Sequence, residues 1–103
     1  MLWTWRSTDG LYQPASAARA HEWFRKAQEC EAQHRTPSAI KAYEHASRSP
    51  DRGMAAIANY PLGRLYEQRH HCARAIVAYR RAVRSGTGED SSRAGAALVR
   101  LGG

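Results

Sequence analysis

The chain repeats itself. Ala39-Ile40-x2-Tyr43-x2-Ala46 returns as Ala75-Ile76-x2-Tyr79-x2-Ala82, with every apolar position kept at an offset of 36 residues. Leu62-x2-Leu65 returns as Leu98-x2-Leu101 at the same offset. Upstream, Trp23, Ala27 and Cys30 stand opposite Asn59, Gly63 and Tyr66. A period of this length marks one supersecondary unit used again, each copy too small to bury its apolar face alone. The 103 residues therefore predict a stack of like units with a continuous core, about two and a half of them.

The unit itself reads as a pair of helices. Over residues 15–33, Ala20, Trp23, Phe24, Ala27 and Cys30 recur at steps of three and four, the period of one helical face. Thr36-Pro37 predicts a restart, with Thr36 as N-cap and Pro37 in the first turn. A second helix then runs to about Ser47, and Ser49-Pro50-Asp51 ends it. A third covers about Arg52 to Arg69, with Pro61 expected to kink it or to mark a later start near Tyr60. His70-His71 is a turn, and a fourth helix spans about Ala73 to Arg84. A last short helix, capped by Ser91 or Ser92, runs through Leu101, with the Gly102-Gly103 pair as its C-cap. No stretch alternates with period two for long enough to form a sheet. The expected fold is all-α, five helices in tandem helix-turn-helix hairpins. Residues 1–14, with Trp3, Trp5, Tyr12, an Asp9-Gly10 turn signal and Pro14, read as an N-terminal arm. Residues 15–103 form the repeat domain, divided as 15–50, 51–87 and, at 88–103, a partial third unit or a capping helix.

These residues resemble the tetratricopeptide repeat family, of the bacterial type. Its frame is W-x2-L-G-x2-Y in a first helix and A-x3-F/Y-x2-A in a second. The second unit reads Leu62-Gly63-x2-Tyr66 and then Ala75-x3-Tyr79-x2-Ala82; the first reads Trp23-x3-Ala27-x2-Cys30 and then Ala39-x3-Tyr43-x2-Ala46. The resemblance covers about residues 19–102. It departs from the family in its 36-residue period against the usual 34, which places the extra residues between units, around Ser47 to Ala55. The resemblance implies a right-handed solenoid and a non-catalytic scaffold for protein–protein interaction. The first helix of each hairpin would line a groove that takes a protein or peptide partner. His21, Phe24, Gln28 and Glu31 would line it from the first unit. Ile57, Tyr60, Arg64, Glu67 and Gln68 would follow from the second, and Arg93 and Arg100 from the last helix. The positions of the family's carboxylate clamp carry Phe24, Gln28, Pro61, Arg93 and Ala97, of which only Arg93 suits, so capture of chaperone C-terminal peptides is not expected. The last helix lacks the polar character of a capping helix, so self-association through it is a further expectation.

Charge supplies the alternative. The net formal charge is +7, and fourteen of the sixteen basic residues are Arg. Residues 1–51 carry +1 and residues 52–103 carry +6. Arg74, Arg80, Arg81 and Arg84 share the outward side of the fourth helix. Such a stripe is what binding to a phosphate backbone requires, and it makes nucleic acid the second candidate partner.

Other chemistry finds little in the sequence. His70-His71-Cys72 is a tight cluster, and Cys30 and His34 have helical spacing, but a structural zinc site needs four converging ligands; no metal or other cofactor is expected. His21-Glu22 and Glu44-His45 are chain neighbours, which diverge on a helix. Ser85-Gly86-Thr87-Gly88 lacks the strand and the Lys-Ser/Thr ending of a phosphate loop. No enzyme is expected. Two cysteines are too few for a disulfide framework, no apolar run reaches the ~18 residues of a membrane helix, and the first six residues do not begin a signal peptide. A cytoplasmic protein with reduced thiols is the expectation.

Overall fold

The computed structural model describes residues 8–85 and 88–102, with side chains from residue 19 onward. Five helices follow one another: α1 Thr8–Ala32, α2 Thr36–Ser47, α3 Arg52–Gln68, α4 Cys72–Ser85 and α5 Gly88–Leu101. No strand occurs among the described residues. α1 packs on α2 and α3 on α4 as antiparallel hairpins; α3 also meets α1, α2 and α5, and α5 closes on α4. The all-α class and the five helices of the sequence reading are thus present.

The repeat extends into the backbone at the turns. α1 and α3 both end on a histidine in the left-handed region, His34 at φ 60° and His70 at φ 63°. In each case the next amide reaches back five residues: Arg35 N–H donates to the Cys30 carbonyl (2.8 Å) and His71 N–H to the Tyr66 carbonyl (2.9 Å). This is the Schellman closure, which satisfies carbonyls that a helix end would orphan. It delivers the chain directly into the next helix. For that reason Arg35, not Thr36, is the N-cap of α2: its carbonyl accepts from Ala39 N–H (3.0 Å) and no side chain caps the end. The linker between α2 and α3 is longer, and here Asp51 caps by side chain, accepting from Gly53 N–H at 2.9 Å.

Three other expectations need correction. α1 begins at Thr8, so residues 8–14 are helical rather than part of an arm. The alanines that follow Pro14 are strong helix formers and carry the helix through it. Trp3 and Trp5 lie outside the described residues, as does the side chain of Tyr12. α3 is already helical from Arg52 and continues across the buried Pro61, so the later start near Tyr60 does not occur. Nine residues of α3 are buried, and packing on that scale overrides a local proline penalty. α5 starts at Gly88, before the serines expected to cap it; Gly88 takes φ +83°, and Glu89 and Asp90 occupy the first turn, where acids favour the helix dipole. Its far end is as expected, with Gly102 at φ +78°.

The core alternates very small and large residues. Ala27, Ala39, Ala46, Ala58, Ala75, Ala82 and Ala94 are fully buried, which lets helices approach closely. Tyr43 and Tyr79 then fill the space between elements, 2% and 1% exposed. Leu62 and Leu65 seal the second hairpin. Gly63 is required by one close approach: a Cβ there would lie 2.7 Å from the Tyr79 ring.

Candidate functional site

Two of the core tyrosines, Tyr43 and Tyr79, carry their hydroxyls to the layer of first helices. Tyr43 Oη donates to Glu31 Oε1 (2.7 Å), and the other oxygen of Glu31 accepts from Arg64 Nη2 (2.8 Å). One period later, Tyr79 Oη donates to Glu67 Oε1 (2.8 Å), and Arg100 forks onto both oxygens of Glu67. Each carboxylate thus joins the second helix of its own hairpin to the first helix of the next. Arg100 holds the Glu67 carboxyl below its usual range, against a smaller opposing effect of burial, and Tyr79 helps. Tyr43 and Tyr79 are pushed well above the ordinary phenol value, first by burial and then by the carboxylate each one meets.

Four residues expected to line a groove (Glu31, Arg64, Glu67 and Arg100) are therefore engaged with one another. Phe24 and Tyr60 are half-buried, Phe24 edge-on to Tyr43 with ring centres 5.7 Å apart and Tyr60 tilted against Tyr79 at 5.9 Å. Arg93 reaches Glu89 at 3.6 Å within α5. His21, Gln28 and Gln68 are exposed, and Ile57 stands 38% exposed. The first-helix layer brings together tied charges and a sparse set of open side chains.

The opposite side differs. α2 and α4 make no close backbone approach, and α3 forms the floor between them. Three adjoining clefts run along this furrow. The first, about 460 Å³, is lined by residues that include Ile40, Lys41, Glu44, Tyr66, Arg69 and Arg74. The second, about 550 Å³, shares Glu44, Tyr66 and Arg74 and adds Arg48, Leu62, Val77 and Arg81. The third, about 290 Å³, shares Ser47 and Arg81 with the second and adds Arg52, Asn59 and Arg84. The floor is apolar beneath the first two clefts, with Asn59 entering it in the third, and the rims are basic. Glu44, the acid among the lining residues, accepts from the Tyr66 hydroxyl, and burial followed by Glu44 raises that phenol. Arg74 lies over the Tyr66 ring at 6.0 Å. Among the described residues, no carboxylate pairs with Arg48, Arg52, Arg81 or Arg84.

Arg74, Arg80, Arg81 and Arg84 are all exposed, as their spacing predicts, but Arg80 does not line the furrow. The facing rim is Lys41 on α2, Arg48 just past its end and Arg52 at the start of α3, a juxtaposition that the periodicity of a single helix does not show. The signal was available in the repeat, because Arg48 is the counterpart of Arg84 one period earlier. Cys30 is half-buried beside the core and Cys72 is exposed. No described helix is long and apolar enough to cross a membrane. Comparison with family models, curated proteins and solved structures finds no match for the chain.

Proposed function

We propose that the chain is a non-catalytic scaffold of tetratricopeptide-like hairpins that binds a protein or peptide partner. The observation that carries this reading is the Glu–Tyr–Arg unit, present twice at one period's spacing. Each copy fixes one hairpin against the next element. A surface held this way is preorganised, and a partner segment loses less free energy to ordering when the receptor is already in place. The side chains displayed between the units are mixed apolar and polar, as peptide-binding surfaces are. The test is a random-peptide display selection against the folded chain, with the footprint of selected peptides mapped by backbone amide shifts. Enrichment of related peptides with footprints on one helical face supports the reading. A folded chain that enriches no peptide class rejects it.

A further inference from the structure

We infer that the furrow between α2 and α4 is the docking site of an acidic segment with interspersed apolar residues. The inference rests on the protein-binding reading above and places the partner on the side opposite the first-helix layer.

Charge complementarity is the main argument. Arg48 and Arg81 face the cleft of about 550 Å³ and Arg52 and Arg84 the adjoining one, all without a carboxylate partner among the described residues. Glu44 is already committed to Tyr66. Unpaired guanidiniums gathered along one depression raise the local concentration of anions and fork onto carboxylates. The floor adds the second requirement. Leu62 and Tyr66 lie beneath the cleft, and Val77 stands on its wall 46% exposed, an apolar side chain facing water beside arginines. A partner carrying both carboxylates and aliphatic side chains uses both features.

Nucleic acid uses only one of them. A phosphate backbone would pair with the rims and leave Val77 and the floor wet. Bases bind single-stranded sites by stacking on open aromatic faces. The furrow holds two rings: Tyr66, 6% exposed with Arg74 over it, and His71 at the rim of the first cleft, whose imidazole already stacks on Tyr66.

The test uses a labelled twelve-residue peptide of alternating glutamate and leucine, a charge-matched version with serine for leucine, and a single-stranded DNA oligonucleotide. The Glu/Leu peptide should bind, with amide shifts in α2 and α4. Arg48→Glu with Arg81→Glu should weaken it at least tenfold, and Val77→Ser several-fold, with helical circular dichroism unchanged. Arg81→Lys should retain part of the binding, and Arg19→Glu with Arg25→Glu on α1, an equal change of charge elsewhere, should not alter it. Equal binding of the serine peptide overturns the inference, because the floor then contributes nothing. Tighter binding of DNA, falling steeply with salt, overturns it in favour of the phosphate backbone. If the peptide fails to bind while display-selected peptides footprint on the first-helix layer, the furrow is wrong and the scaffold reading stands. If neither binds, both fall.

Discussion

Gly63 and Gly95 occupy interior positions of α3 and α5, yet adding one methyl group should have opposite effects. At Gly63 the new Cβ would meet the Tyr79 ring at 2.7 Å; at Gly95 its nearest neighbour is a Val83 methyl at 4.0 Å. Alanine gains about 1 kcal/mol over glycine in a helix interior. Overpacking a close contact costs about 1–3 kcal/mol. Gly63→Ala should therefore lower stability by about 1 kcal/mol, and Gly95→Ala should raise it by about 0.5–1 kcal/mol, both read from urea denaturation midpoints. A higher midpoint for Gly63→Ala would show that Tyr79 yields without cost. The frame of the repeat made Gly63 legible as a close-approach position. It did not reveal how Trp23 and Asn59, one period apart, part company. Trp23 stacks on His45 at 4.3 Å, whereas Asn59 is buried and turns its amide to the Ala55 carbonyl at 2.8 Å. Equivalent positions in a sequence share a location and not a chemistry.

Between elements, the Glu–Tyr–Arg units set the response to pH. The fold holds Tyr43 and Tyr79 as neutral phenols, so their stabilisation is complete below pH 10, the ordinary phenol value, and lost as pH rises beyond it. Glu67 is held as a carboxylate, so its contribution is complete above pH 4.5 and lost as pH falls through its lower folded-state value. Urea midpoints should thus form a plateau with an alkaline shoulder starting near pH 10 and an acid one below pH 4.5. Tyr79→Phe should soften the alkaline limb, and Glu67→Gln the acid limb. An unchanged alkaline limb in Tyr79→Phe would place its cause elsewhere. The helices themselves were readable from turn residues and periodicity, because local signals dominate there. The units were not, since Glu31 and Arg64 lie 33 residues apart and their meeting depends on how one hairpin seats against the next. Thr36 failed as a cap for a related reason: the Schellman turn ahead of it belongs to α1, and its closure left no room for a separate start.

For the molecule as a whole, the two sides of the helical layers divide the work. On one, acids and bases neutralise each other across hairpins; on the other, Arg48 past the end of α2 and arginines from α3 and α4 remain open around a largely apolar floor. Net charge alone could not separate these, because Arg64 and Arg100 count equally with Arg81 and Arg84 until their neighbours are known. The repeated carboxylate has one more consequence, for cooperativity. In a linear array each unit senses only its neighbours, and the interface terms decide whether the units melt together. Glu31 with Arg64 is such a term between α1 and α3, a half-buried pair still open enough to solvent to be worth about 0.2–1 kcal/mol. Arg64→Gln should leave each hairpin intact and loosen their linkage. Native-state hydrogen exchange should then show a wider gap in opening free energy between the amides of α1 and α2 and those of α3 and α4 than in the parent chain; an unchanged gap would show that the pair does not couple them. The carboxylates act as coupling constants, and their number sets how far along the chain an unfolding event is felt.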